Sequence, residues 1–184
     1  ISGRVIVPLK PVGVWKEGLY YDETTALMQE LYACDFGGNT PLREALHDVG
    51  SYYRDNSKNL SHFRGRNVPG DDPPYLPESE GGACQQSFTL VVTDGYYTDQ
   101  SRAFKGNTDG TDSDPYGEWG GGSEPFSDNF KDTLADTALY FYAQDLLPNL
   151  DNLVPTNKWD QASHQHMVTF AVAFGVTGTL HPEA

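Results

Sequence analysis

Basic residues are scarce in this chain. Its 184 residues hold 12 Lys and Arg against 26 Asp and Glu, a formal net charge of −14. Nucleic-acid backbones bind basic surfaces, so this balance speaks against DNA or RNA as a partner. It suits divalent cations, a saline exterior or plain solubility. Long apolar runs are missing too. The longest, Met167 to Val176, is broken by Thr and Gly and is too short to cross a bilayer. No signal-peptide pattern is present. The chain opens at Ile1 without a methionine, directly in a strand-like segment, as expected of a processed or excised polypeptide. Cysteine is limited to Cys34 and Cys84, with no CxxC spacing that would make a metal site. The pair is compatible with one disulfide in an oxidising compartment or with two unrelated buried thiols. Nucleotide fingerprints (GxGxxG, a Walker loop) and the GxSxG elbow are absent, which removes the usual sequence grounds for a nucleotide-dependent enzyme or a serine hydrolase.

What is present centres on Ser87-Phe-Thr-Leu-Val-Val-Thr-Asp-Gly-Tyr-Tyr97. Phe88 to Val92 is apolar and β-branched without polar alternation, the pattern of a strand buried on both faces of a parallel sheet. It ends at Asp94-Gly95. Ligands in open α/β sheets bind just beyond the carboxyl ends of strands, so Asp94 stands where a metal or ligand is expected. Asp-Gly is also a common turn pair, and the alternative is that Asp94 only begins a turn.

Arg4 to Leu9 reads as a strand, limited to an edge or an end by Pro8. Glu23 to Leu31 reads as a helical segment with Leu27, Met28 and Leu31 on one side. In Gly37-Gly-Asn-Thr-Pro-Leu-Arg-Glu-Ala-Leu46, Thr40 suits an N-cap and Pro41 the first helical position. Leu42, Ala45, Leu46 and Val49 then form the buried stripe. The Thr40 hydroxyl either caps this helix or faces a ligand. Asp132 to Leu147 predicts the best helix, capped by Asp132, with Ala135, Ala138, Leu139, Tyr142 and Leu146 as its apolar face and Pro148 as its stop. Met167 to Phe174 predicts a second buried strand. Two long connections, 55–82 and 98–129, read as loop insertions in a single domain spanning 1–184. A loose basic cluster, Lys58, Arg64 and Arg66 in the first with Arg54 just before it, defines no site. The alternation of strands and helices predicts an α/β fold with a mostly parallel sheet and flanking helices.

Two further features bear on chemistry. Asn107, Asp109, Asp112 and Asp114 alternate oxygen-bearing side chains around Gly110, as in loops that bind calcium; a solvated acidic loop has the same composition. The spacing is not that of an EF-hand, since no glutamate closes it. His164 and His166 stand two apart, a spacing that places both on one face of a strand. No third metal ligand is evident, so packed or hydrogen-bonded histidines are expected.

Three motifs together, GGNTPLREAL (37–46), FTLVVTDGYY (88–97) and HQHMVTFAVAFGVTGTL (164–180), resemble the N-terminal von Willebrand factor A-like domain of PilY1-type type IV pilus proteins. DTLADTALYFYAQDLLPNLDN (132–152) and GNTDG (106–110) resemble the family as well. The likeness covers about residues 35 to 180, and the last of the three motifs is the most specific. It implies a Rossmann-like A-type domain with a metal-ion-dependent adhesion site. Thr40 and Asp94 match the family's threonine and aspartate ligands to Mg²⁺ or Ca²⁺. The DxSxS triplet that completes such a site does not occur in this sequence. With the first strand also missing from the chain, the sheet is expected to open and expose Phe88–Val92 unless further polypeptide or another chain completes it.

The resemblance implies a non-enzymatic adhesion and assembly module. Its expected partners are minor pilins, the pilus tip or a host or surface ligand, and its expected place is extracellular or on the outer cell surface, in association with the pilus. The family's exported location also motivates a Cys34–Cys84 disulfide. Two other readings are a metal-dependent enzyme or enzyme subunit carrying an A domain, and a structural A domain whose metal site is dead.

Overall fold

A computed structural model describes residues 12–22, 24–33, 40–54, 74–94, 97–98, 106–110 and 128–175. The expected strand at Arg4–Leu9, Cys34, the glycines at 37–38, most of the 55–82 insertion, Asp112 and Asp114 lie outside these residues.

The first elements form a hairpin, β1 (Val12–Lys16) and β2 (Leu19–Asp22), paired antiparallel. Its two-residue turn has positive φ at Glu17 (52°) and Gly18 (79°), the twist that matches flanking strands. The Asp22 carboxylate then accepts the Thr24 N–H at 3.0 Å and starts α1 (Thr24–Tyr32). Leu27, Met28 and Leu31 are all exposed, so the expected stripe covers nothing described.

The core lies further along. Helix α2 runs Leu42–Tyr53, strand β3 Ser87–Thr93, helix α3 Leu134–Ala143 and strand β4 Met167–Ala173. β3 and β4 pair in parallel, with Ser87 opposite Met167 and Thr93 opposite Ala173. The Tyr53 hydroxyl donates to the Phe88 carbonyl at the start of β3, while Thr40, before α2, bonds Thr98, beyond the end of β3. α2 therefore runs antiparallel to the strands. α3 runs parallel to α2: Arg43 near the start of α2 donates to the Asp132 carbonyl, and Arg54 at its end donates to Tyr140 and Gln144. Both helices cover one face of the strand pair. Their meeting surface with the strands is Leu46, Tyr53, Tyr75, Tyr140, Phe141, Leu146, Leu147 and Met167. Phe141 is fully buried, and Gly50 of α2 sits so close to its ring that a Cβ there would overlap it.

The other face of the pair is bare. Phe88, Leu90, Val92, Phe170 and Val172 are exposed, although their run predicts burial on both faces. The physical reason is the layer count: among the described residues the sheet has two strands and helices on one side only. The expected buried β4 is likewise buried only at Met167.

Two helix starts differ from expectation. α2 begins at Leu42, with Pro41 in the capping position and no side-chain cap. Thr40 is held away from that role because its N–H and carbonyl are both engaged with Thr98. α3 is capped by Thr133, not Asp132. Thr133 and Asp136 form a reciprocal capping box, and Asp132 adopts a left-handed φ of 55° while its carboxylate accepts the Gly106 N–H. α3 also stops at Ala143, before Leu146, because Gln144 turns extended. Its buried face is Asp136, Thr137, Tyr140, Phe141 and Ala143; Ala135 is exposed, and Ala138, Leu139 and Tyr142 are half-buried.

Segments without regular structure are tied down by polar side chains. Gln165, fully buried, donates to the carbonyls of Ala83 (2.8 Å) and Asp151 (2.9 Å). The Leu146 N–H donates to its carbonyl. Tyr75 enters the core from the 55–82 connection and hydrogen-bonds Ser87 at 2.6 Å. Burial pushes its phenol up to about 12.

Candidate functional site

Parallel strands with antiparallel helices gather two kinds of chain end in one place. The carboxyl ends of β3 and β4 lie with the N-termini of α2 and α3, where unpaired N–H groups and the helix dipoles favour negative charge. Five described segments meet there: 40–41, 93–94, 97–98, 106–110 and 128–133.

Thr40 is locked to Thr98 on both sides. Its N–H donates to Thr98 Oγ1, and its carbonyl accepts the Thr98 N–H, each at 3.0 Å. This brings Thr40 to the end of β3 that Asp94 follows. Asp94 is exposed. The structure thus puts the two expected ligands at one end of the sheet, on separate segments. A hard divalent cation takes six or more oxygens. Among the described residues no group of three or more His, Cys, Asp or Glu stands ready to hold a metal. Thr40 and Asp94 are a partial donor set, short of what a closed site needs.

Arg43 lies beside this pair. Its guanidinium stacks over the Tyr97 ring at 4.9 Å and donates to the Asp132 carbonyl at 2.8 Å. It joins the β3 end to a second, acidic region at the start of α3. There Asp136 is fully buried and accepts from four donors: Thr133 N–H (2.8 Å), Thr133 Oγ1 (2.9 Å), Thr108 N–H (2.6 Å) and, more weakly, Asp109 N–H (3.4 Å). Sequence reasoning assigned Asp136 no role beyond helix membership. The Thr-x-x-Asp spacing at 133–136 is the signal that could have found the capping box. Nothing in the sequence announces the bond to Thr108, since 25 intervening residues separate Asp136 from the 106–110 turn in the chain. Asn107 and Asp109, expected in a calcium loop, are buried in this turn.

The histidine pair has a structural role. His166 Nδ1 bonds the His164 carbonyl (2.7 Å), its Nε2 bonds Asp160 (3.1 Å), and His164 Nε2 bonds the Tyr142 carbonyl (2.9 Å). Tyr142 donates to the other Asp160 oxygen, and burial together with that carboxylate pushes its phenol up to about 12. The ring nitrogens are used in joining the 157–166 segment to the end of α3. Cys84 closes a short 3-10 turn, Gly82–Cys84, and is exposed rather than buried.

This arrangement is that of an α/β domain whose strand-end loops are rich in oxygen donors. The chain is 32% identical over 161 residues to the type IV pilus biogenesis factor PilY1 of Pseudomonas aeruginosa strain PAK, an overlap of 78% of this chain and 13% of the relative. The PilY1 proteins of strains PAO1 and UCBPP-PA14 match at 31% over 160 and 27% over 163 residues. No family model matches the chain, and no solved structure matches it. Over this stretch the chain resembles the PilY1 type IV pilus biogenesis factors. It spans about an eighth of the length of the curated relatives it matches.

Proposed function

We infer that this chain is a von Willebrand factor A-type module of a type IV pilus biogenesis factor, acting at the cell surface in pilus assembly or adhesion. The observation that carries the reading is the 32% identity to PilY1 across 78% of the chain. The parallel β3–β4 pair, the Thr40–Thr98 junction and Asp94 at one sheet end agree with it. In this reading a minor pilin or a surface ligand contacts the strand-end loops, and a divalent cation held in part by Thr40 and Asp94 mediates the contact. The bare face of Phe88, Leu90, Val92, Phe170 and Val172 is an apolar patch of the kind that further polypeptide covers. No step of covalent chemistry is assigned to the chain.

The test is genetic and then biochemical. In the source organism, deletion of the gene is expected to abolish surface pili, and the wild-type gene is expected to restore them. A deletion strain with normal pili refutes the pilus reading. Asp94→Ala in the complementing gene then separates adhesion from assembly. Pili that form but bind surfaces poorly support a ligand-contact role for the strand end; unchanged binding and piliation refute that role.

A further inference from the structure

We propose that the 106–110 turn, together with the main chain at Asp128, forms a calcium site whose ligands are the two carboxylate oxygens of Asp109, the amide oxygen of Asn107 and the Asp128 carbonyl. The site rests on its own local geometry and not on the pilus reading.

Asp109 is the observation that calls for a ligand. It is 2% exposed, and both of its carboxylate oxygens are buried without a hydrogen-bond partner. A buried carboxylate in this condition costs several kcal/mol unless something neutralises it. No ion pair of Asp109 with a described Lys or Arg is present, and the described charges that act on it, Asp136 and Asp128, are of its own sign. Burial first, then the charges of Asp136 and Asp128, push its carboxyl up to about 6; N–H groups of Asp128 and of Asp109 itself lie near and offset only part of this, without hydrogen-bond alignment. Asp136 cannot move to relieve the crowding, because four donors hold it. A cation held by both oxygens relieves the conflict.

The other oxygens are at hand. Asn107 is 3% exposed and donates its Nδ2 to the Asp128 carbonyl at 3.0 Å, an acceptor that fixes which end of the amide is nitrogen. That bond places Asn107 beside the Asp128 main chain. Gly110 packs so tightly on this amide that a Cβ there would overlap it, so the turn admits only glycine at that position without shifting Asn107. The donors are all hard oxygens of mixed type: two carboxylate, one amide and one main-chain. Calcium accepts such an array with six to eight ligands, whereas magnesium demands near-octahedral geometry and holds its waters. With a single carboxylate as charged ligand, affinity on the order of 10⁻⁴–10⁻³ M is expected, the range of extracellular modules.

Hydrogen exchange read by mass spectrometry on the intact protein tests this, with calcium alone as the probe against a chelator. Peptides covering 106–110 and 128–137 are expected to exchange at least about tenfold more slowly in about 10 mM calcium than in EGTA. Asp109→Asn should abolish the slowing, and Asn107→Ala, which removes an oxygen without a charge, should require roughly tenfold more calcium for it. Asp94→Asn should leave it unchanged. Wild-type peptides that exchange equally in calcium and chelator overturn the proposal without reference to any variant. So does slowing that survives Asp109→Asn, or slowing that disappears in Asp94→Asn. Equal slowing by magnesium at the same concentration overturns the assignment to calcium. Unchanged protection of β3 and β4 in each variant shows that the fold is intact.

Discussion

Replacing Asp136 by alanine removes the group on which the start of α3 and the 106–110 turn both depend. The fully buried carboxylate accepts the Thr133 N–H, the Thr133 hydroxyl and the Thr108 N–H between 2.6 and 2.9 Å, and more weakly the Asp109 N–H. Hydrogen bonds to an ionised acceptor contribute about 1.5–3 kcal/mol each, and a donor left buried without a partner costs about 1–3 kcal/mol. Two of the donors lie in the cap, where water can reach part of the loss; loss of a cap alone costs about 1 kcal/mol. Relief of the Asp136–Asp109 repulsion offsets a fraction. The balance is a destabilisation of about 3–4 kcal/mol, large for a single substitution. Thr133→Ala, which removes one cap partner and leaves the Thr108 bond, should cost about 1 kcal/mol. Urea unfolding followed by far-UV circular dichroism measures both, and a double-mutant cycle isolates their coupling. Hydrogen exchange should show the 106–110 turn opening in Asp136→Ala and staying closed in Thr133→Ala. A loss below about 1 kcal/mol for Asp136→Ala, or equal losses for the two variants, would refute the assignment of Asp136 as the bond between helix and turn.

Three further outcomes follow from the packing and the charges. Gly50→Ala drives a methyl into the Phe141 ring; despite a helix-propensity gain of up to about 1 kcal/mol it should destabilise by about 1–3 kcal/mol, seen as a lower unfolding midpoint. Gln165→Ala strands the carbonyls of Ala83 and Asp151 and should cost about 2–3 kcal/mol, with exchange at 146–151 and 83–85 accelerating first. Asp109 has a folded pKa of about 6 against an ordinary 3.8. Below both values the carboxyl is protonated in either state and carries no penalty; as pH rises through this window the unfolded chain ionises first. In chelator, wild type should therefore lose stability relative to Asp109→Asn between about pH 4 and pH 6, by at most about 3 kcal/mol. A pH-independent difference between the two counts against a buried, crowded Asp109.

Some of this architecture is legible residue by residue. Strand β3 follows from Phe88–Val92, β4 from Met167–Phe174, and helix α2 from the spacing of Leu42, Ala45, Leu46 and Val49, of which Leu46 alone is buried while Gly50, Tyr52 and Tyr53 make up the rest of the buried face. Other features are not. In α3, LADTALYFYA is apolar on most of its circumference, so periodicity cannot choose a face; contact with α2 and β4 chooses Thr137, Tyr140 and Phe141. The cap fell to Thr133 because Asp132 is held by Gly106, a residue far away in the chain. Thr40 left its capping role for the same kind of reason, its backbone being paired with Thr98. The oxygen-rich spacing at 107–114 drew attention to Asn107 and Asp109. It could not show that both are buried, or that Asp128 and Asp136 stand beside them.

By itself, then, the sequence determined local conformation and charge: which runs extend, which coil, where an acidic turn lies, and which family's motifs the chain carries. These depend on steric preference, side-chain spacing and identity, all short-range properties. Only the tertiary structure decided burial, capping and the company each carboxylate keeps. Those depend on which segments meet across about 20 to 90 residues of chain, and it is there that an unpaired Asp109 becomes costly and a shared Asp136 becomes a fastening.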